Sequence, residues 1–154
     1  AMMQVFKGGG RGLMVLAAVW LVTGCSSIDS QPSRTEPSLY DRHGGTGAIT
    51  AVVDQFVANV ANDTRINGRF ATTDIPRLKK NLVDQVCTAT GGPCTYSGRD
   101  MKTTHAGMRI TTADFNALVQ DLVAALDAFK VSERDKRELL GILGPMKKDI
   151  VELP

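Results

Sequence analysis

Histidine is scarce in this chain, and one of its two histidines is the residue best placed to do chemistry. His105 lies in the stretch Tyr96–Thr111, where glycines and polar residues interrupt the apolar pattern found on either side. With so few imidazoles, the chain cannot build a zinc site from several histidines. A single imidazole is nevertheless enough to supply the one axial ligand that many haem groups take from their protein.

The stretch around His105 is irregular, although long helices are predicted on both sides of it. Thr90 to Thr112 contains four glycines and one proline, and only Asp100 to Ala106 is predicted to form a short helix. A loop of this length inside a compact domain is usually functional. From these residues alone, His105 is either an iron ligand or a core histidine bonded to a backbone carbonyl. The absence of a CxxCH motif excludes covalent haem attachment through that motif.

Apolar residues recur with helical spacing along most of residues 38–154, which predicts an all-α domain. The first long helix is expected to begin at a Thr46 cap and to end at Asn62-Asp63. Its apolar face consists of Ile49, Val52, Val53, Phe56, Val57 and Val60. The second helix is expected to begin at an Asp74 cap, with Pro76 in its first turn, and to stop at Gly91-Gly92.

Two further long helices are predicted after the irregular stretch. The third begins near Thr112, and its inward face runs from Phe115 to Phe129. Ser132 is expected to cap the fourth helix. Pro145 should kink or restart that helix, because proline has no N–H to continue the hydrogen-bond ladder.

The N-terminal residues have the pattern of a bacterial export signal. Lys7 and Arg11 precede a ten-residue apolar run, Leu13–Val22, which is too short to span a bilayer but suits a secretory signal. Val22-Thr23-Gly24-Cys25 then resembles the lipobox of lipoproteins, in which the cysteine is lipidated. We therefore expect residues 1–25 to be a lipoprotein-type signal peptide that anchors the chain to a membrane through Cys25. An ordinary signal with an incidental cysteine is the alternative.

Residues 26–37 are predicted to be a flexible tether and residues 38–154 a single domain. The tether spans roughly 20 Å, so the domain would lie close to a membrane of the cell envelope, on its periplasmic face. Setting aside Lys7 and Arg11 leaves 16 of the 18 basic residues against 16 acidic ones. This neutral balance does not favour nucleic acid as a partner, because nucleic-acid binding needs a concentrated basic face.

Two cysteines remain once Cys25 is assigned to lipidation, and export permits a disulfide between them. Cys87 and Cys94 flank the predicted chain reversal at Gly91-Gly92, so they can approach the Cα separation of about 5.5–6 Å that a disulfide needs. A metal-thiolate site is not favoured, because the spacing is not CxxC. The alternative to the disulfide is a small buried apolar Cys87 and a free Cys94.

Several short motifs occur in the order found in group I truncated haemoglobins. They are Leu39-Tyr40-Asp41, Gly44-Gly45, Phe70 after the first long helix, Gly91-Gly92 after the second, Tyr96-Ser97-Gly98, and His105 before the third. A glycine pair alone is common, but this order and spacing relative to one histidine are specific. The chain therefore resembles the group I truncated haemoglobins over residues 38–151, essentially the whole predicted domain.

The resemblance implies a truncated globin fold, a two-over-two helical sandwich around one b-type haem. His105 matches the proximal histidine that ligates the iron, and Phe70 matches a phenylalanine that wedges against the porphyrin. Lys102 is a candidate partner for a haem propionate, although a solvated lysine explains it equally well. His43 is expected to be structural, at a helix end where histidine meets exposed carbonyls. The other residues expected to contact haem are Phe56, Val57, Leu78, Leu82, Met101, Ile110, Phe115 and Leu118.

The ligand side of the predicted haem pocket departs from the family pattern. Many members have a Phe-Tyr pair whose tyrosine hydroxyl hydrogen-bonds dioxygen, whereas this chain has Phe56-Val57. Leu78 and Leu82 stand where relatives often supply a glutamine. Asn81 and Gln85 are predicted on a helical wheel to point elsewhere, unless the register is shifted by one residue. The pocket is therefore expected to lack a hydrogen-bond donor.

An apolar pocket favours reversible binding of a diatomic gas, for oxygen binding, transport or sensing, with nitric oxide and carbon monoxide as further ligands. The alternative is an enzyme at the same haem, dioxygenating nitric oxide or acting as a peroxidase, and this would need polar groups beside the gas. A haem-free helical lipoprotein is a third possibility. The expected partners are the gas, the membrane and an unidentified reductase; no oligomeric state is predicted.

Overall fold

The computed structural model describes residues 36–154, and their regular structure is helical. The helices are α1 (Leu39–Arg42), α2 (Gly45–Asn62), α3 (Ile75–Ala89), α4 (Met101–His105), α5 (Thr112–Ala128), α6 (Glu133–Leu143) and α7 (Lys147–Ile150), with short 3-10 helices at Asn67–Phe70 and Gly144–Met146. Within residues 36–154, no helix is both long and apolar enough to cross a membrane. The predicted signal peptide and nearly all of the predicted tether lie outside the described residues.

Most helix ends lie where their sequence signals place them. The side chains of Asp74, Thr111 and Ser132 each accept a hydrogen bond of 3.1 Å from the backbone N–H three residues later. These bonds satisfy N–H groups that have no partner inside the helix. The predicted break at Pro145 is confirmed, because α6 ends at Leu143 and one 3-10 turn separates it from α7.

One prediction about a helix cap and one about a buried side chain are wrong. Thr46 does not cap α2, which begins at Gly45, and its hydroxyl lies 2.9 Å from the hydroxyl of Tyr40. Gly44 and Gly45 instead turn the chain with φ angles of 88° and 75°, which residues with a Cβ rarely adopt. Phe129 is not inward but 47% exposed, because α5 ends at Ala128 and the chain leaves the helix there.

The central helix of the fold is α2, which packs against both α3 and α5. The helices form the predicted two-over-two sandwich, with α2 and α3 preceding the irregular stretch and α5 and α6 following it. The main core cluster contains Ile49, Val53, Phe56, Val57, Val60, Ile66, Cys87, Ala117 and Ala125. A smaller cluster of Leu39, Leu126 and Leu139 joins α1 to α5 and α6.

A disulfide joins Cys87 to Cys94 across a Cα separation of 5.7 Å, which confirms the first of the two predicted alternatives. Cys87 is completely buried near the end of α3, and the Thr88 hydroxyl donates a hydrogen bond of 3.1 Å to the carbonyl of Cys94. Closing so short a loop stabilises a domain by about 2.5 kcal/mol on the chain-entropy estimate. The bridge therefore holds the loop that leads to α4 against the end of α3.

Candidate haem site

The short helix α4 orients the imidazole of His105 through a hydrogen bond at Nδ1. Asp100 caps this helix by accepting hydrogen bonds from the backbone N–H and the hydroxyl of Thr103, at 2.8 and 2.7 Å. His105 is its last residue, and its Nδ1 lies 2.8 Å from the carbonyl oxygen of Met101. Because a carbonyl only accepts, the ring proton must be on Nδ1. In the neutral form of this tautomer, the lone pair of Nε2 is available to a metal.

The apolar face of α3 is incompletely covered by the rest of the protein. Cys87 is the one fully buried residue of this helix, and its remaining large apolar side chains are half-buried: Ile75, Leu78, Leu82, Val83 and Val86. The helix packs chiefly against α2, while α4 packs against α7. Contacts between α3 and α4 are sparse. A half-exposed apolar surface of this kind is what a flat apolar group can cover.

An open cavity of about 290 Å³ lies between α3 and α4, and we call it the α3–α4 cleft. It is lined by Gln85, Thr88, Ala89, Tyr96, Asp100, Met101 and Met146. The amide nitrogen of Gln85 reaches into this cleft, 3.7 Å from the sulfur of Met101 and 3.4 Å from that of Met146. Gln85 follows Leu78 by seven residues, two helical turns, and so shares its face.

The residues predicted to surround the gas ligand are apolar and lie on two neighbouring helices. Phe56 and Val57 are buried in the main core cluster on α2, at 7% and 8% exposure. Leu78 and Leu82 are half-buried on α3, which packs against α2. Asn81 is half-buried as well and makes no side-chain hydrogen bond within residues 36–154. Phe56, Val57, Leu78 and Leu82 therefore contribute hydrocarbon, and Asn81 is the one side chain of this group with a hydrogen-bond donor.

The other predicted haem contacts lie on the elements around α4. Phe70, at the end of its 3-10 helix, and Leu118, on α5, are half-buried and pack against the main core cluster. Phe115 is half-buried with the ammonium of Lys147 at 5.8 Å from its ring centroid. Ile110 is half-buried in the loop after α4. Lys102 is exposed on α4 and takes part in no ion pair among residues 36–154.

His43 lies at a helix end as predicted, but its ring does not meet the carbonyls there. It follows α1, and its backbone N–H donates to the carbonyl of Leu39 at 3.0 Å. Its Nε2 is buried without a hydrogen-bond partner in the described part of the chain. Burial lowers the pKa of this imidazole, since a buried ring disfavours the charged form. His43 is therefore a largely apolar packing residue beside α6.

Two charged residues that the sequence analysis did not single out hold the loop after His105. The carboxylate of Glu152 accepts hydrogen bonds from the backbone N–H groups of Gly107 and Arg109. The guanidinium of Arg69 donates to the carbonyl of Met108 at 2.9 Å. Glu152 lies 45 residues from Gly107 in the chain, so no local sequence signal could have indicated this contact.

These residues fit a b-type haem. Such a group needs one axial nitrogen, an apolar slot and cations at its rim. The imidazole of His105 is hydrogen-bonded through Nδ1, which leaves Nε2 as the nitrogen for the iron, and half-buried apolar side chains extend along α3, α5 and the 3-10 helix. Lys102 adds an exposed cation on the same short helix as His105.

Known proteins with similar sequences support this assignment. The model of the bacterial-like globin family matches residues 38–152. A group 1 truncated haemoglobin of Mycolicibacterium paratuberculosis is 37% identical over 118 residues, covering 76% of this chain and 87% of its own. The group 1 truncated haemoglobin of a Nostoc species is 34% identical over 114 residues, covering 74% of this chain and 97% of its own.

Solved structures with the same arrangement of helices are also truncated haemoglobins. The iron(III) form of the Tetrahymena pyriformis protein superposes with a TM-score of 0.72 at 29% identity. The two-over-two haemoglobin of a Synechococcus species, solved with covalently attached haem, has a TM-score of 0.71 at 30% identity. Each match covers 75% of this chain and 98% of the other.

Proposed function

We propose that this chain, which belongs to the bacterial-like globin family, binds a diatomic gas at a haem iron that His105 ligates. The protein is then a reversible gas binder rather than an enzyme. The haem supplies the metal at which the gas is held, and the protein supplies the ligand and the surroundings. Oxygen binding, transport or sensing is the role that we favour for this chain.

The proposal depends above all on the hydrogen bond between His105 Nδ1 and the carbonyl of Met101, at 2.8 Å. This bond places a proton on Nδ1 and orients the ring, so in the neutral imidazole the lone pair is on Nε2. A hydrogen bond from the second nitrogen of a ligating histidine also raises the electron density on the first. His105 would therefore hold the iron as a neutral imidazole whose direction is set by α4.

The apolar character of Val57, Leu78 and Leu82 supports binding rather than turnover. An enzyme that activates dioxygen needs groups that polarise it or move protons, and these three side chains can do neither. Gln85, a polar residue two helical turns after Leu78 on α3, points its amide at the sulfurs of Met101 and Met146. Carbon monoxide and nitric oxide are less polar than bound dioxygen, so an apolar pocket penalises them less.

Absorption spectra of the purified domain in the ferric, ferrous and carbonmonoxy states test this function. We expect one haem per chain and gas binding that reverses over repeated cycles. Excess nitric oxide should then be added to the oxygenated protein with a chemical reductant. Sustained consumption of nitric oxide at a rate set by protein concentration would favour the dioxygenase instead, and a chain that takes up no haem would refute both functions.

We also propose that the chain acts in the cell envelope, held to a membrane through a lipidated Cys25. The disulfide between Cys87 and Cys94 supports this location, because disulfides persist in oxidising compartments. Thiol titration of the unfolded domain, prepared from the envelope fraction without reductant, should find neither cysteine reactive. Two reactive thiols would argue against the oxidising compartment.

A further inference from the structure

The loop that follows His105 has an unusual backbone. The chain leaves α4 at Ala106, and the N–H of Met108 donates to the carbonyl of His105 at 3.0 Å. Gly107 and Arg109 have φ angles of 77° and 53°, in the left-handed region. Arg109 has a Cβ, which makes the left-handed conformation unfavourable for it. Contacts from elsewhere must hold the loop in this shape.

Glu152 makes those contacts from the C-terminal segment. One carboxylate oxygen accepts the N–H of Gly107 at 2.7 Å, and the other accepts the N–H of Arg109. These hydrogen bonds lower the pKa of Glu152, so the carboxyl group is ionised at neutral pH. Charge-assisted bonds of this kind are about twice as strong as neutral ones.

The backbone of the C-terminal segment is itself fixed to the chain beyond the loop. The N–H groups of Glu152 and Leu153 both donate to the carbonyl of Ile110, at 2.9 and 3.1 Å. The N–H of Thr112 donates to the carbonyl of Leu153 at 3.1 Å. The carboxylate of Glu152 is thus presented to the loop by an anchored backbone and not by a free tail.

Arg69 contacts the same loop as a hydrogen-bond donor, whereas Glu152 contacts it as an acceptor. Its guanidinium donates to the carbonyl of Met108 at 2.9 Å and to the carboxylate of Asp114 at 2.7 Å. Glu152 therefore takes the N–H groups of the loop, whereas Arg69 takes a carbonyl. Because α4 has only five residues, its C-terminal end is held by this loop as well as by its packing against α7.

We propose that Glu152 is a positioning residue for the haem, because its carboxylate fixes the loop after His105 and through it the direction of the His105 imidazole. This inference rests on the proposed ligation of the iron by His105. A weaker hold on the loop would let the ring rotate, which alters the bond between iron and histidine and speeds haem loss.

Glu152→Gln in the haem-loaded protein tests this role, with Asp149→Asn, an exposed carboxylate on α7, as the matched control. Glutamine keeps one acceptor oxygen but turns an NH₂ group towards the second N–H of the loop. We expect haem transfer to an excess of an apoglobin acceptor to become about 3- to 10-fold faster, the factor that corresponds to losing half the strength of one charge-assisted hydrogen bond. The iron–histidine stretching band in the resonance Raman spectrum of the ferrous protein should shift.

Hydrogen exchange measures the contact itself. The backbone amides of Gly107 and Arg109 should exchange faster in Glu152→Gln, whereas their exchange rates should not change in Asp149→Asn. Should Glu152→Gln fail to fold, Glu152→Asp keeps the charge, shortens the side chain and should move the same observables in the same direction. An unshifted iron–histidine band, even with faster haem loss, would overturn the positioning role. An iron–histidine band that persists unchanged in His105→Ala would instead refute ligation by His105, and the inference with it.

Discussion

Replacement of His105 by alanine is expected to abolish stoichiometric haem uptake or to leave a haem with an altered ligation spectrum. The reason is that the imidazole of His105, bonded through Nδ1 to the Met101 carbonyl, has its Nε2 available to the iron. The ferric and ferrous absorption spectra, recorded after titration with haem, measure the loss directly. Glycine at the same position leaves space for free imidazole, which should restore a histidine-like spectrum in His105→Gly.

His43→Ala is the matched control, because His43 is the other of the two histidines in the chain. Its Nε2 is buried without a hydrogen-bond partner beside α6, within the described residues, and its loss should leave haem stoichiometry unchanged. If His105→Ala kept an unchanged Soret band and unchanged ligand kinetics, ligation by His105 would be wrong. The apolar surface along α3 would then need another explanation.

Val57→Tyr is expected to slow dioxygen release from the ferrous protein by about 5- to 150-fold. The tyrosine hydroxyl would supply a hydrogen bond to dioxygen worth about 1–3 kcal/mol, and about 1.4 kcal/mol changes a rate tenfold. Stopped-flow measurement of the dissociation rate checks this, and the stretching frequency of carbon monoxide in the same proteins reports the local field. The unmodified protein should release dioxygen quickly.

Val57→Phe separates the hydroxyl from the size of the new ring. Val57 is only 8% exposed in the main core cluster, so a larger side chain costs stability through overpacking whether or not it can donate. The effect of the hydroxyl is therefore the ratio of the dioxygen dissociation rates of Val57→Phe and Val57→Tyr. Strong polarisation of carbon monoxide in the unmodified protein would contradict an apolar pocket and would indicate that Gln85 or Asn81 turns towards the gas.

The sequence alone determined the helices and the identity of the residue best suited to ligate iron. Apolar spacing and the caps Asp74, Thr111 and Ser132 are local signals, because a side chain three residues from an unpaired N–H reaches it in almost any fold. The scarcity of histidine left His105 with few competitors. Two cysteines on either side of a glycine turn, also a local arrangement, made the disulfide one of two alternatives, and the structure contains it.

The tertiary structure decided the features that join distant parts of the chain. The contacts of Gln85 with Met101 and Met146 depend on how α3 is rotated against the elements that carry these methionines. A helical wheel shows the faces of one helix and cannot predict contacts with other elements. The contacts of Glu152 with the loop after His105 span more than forty residues. The exposure of Phe129 depends on where α5 ends against its neighbours. Helical periodicity records which face of a helix is apolar, whereas the packing of other elements determines what that face and the polar residues beside it meet.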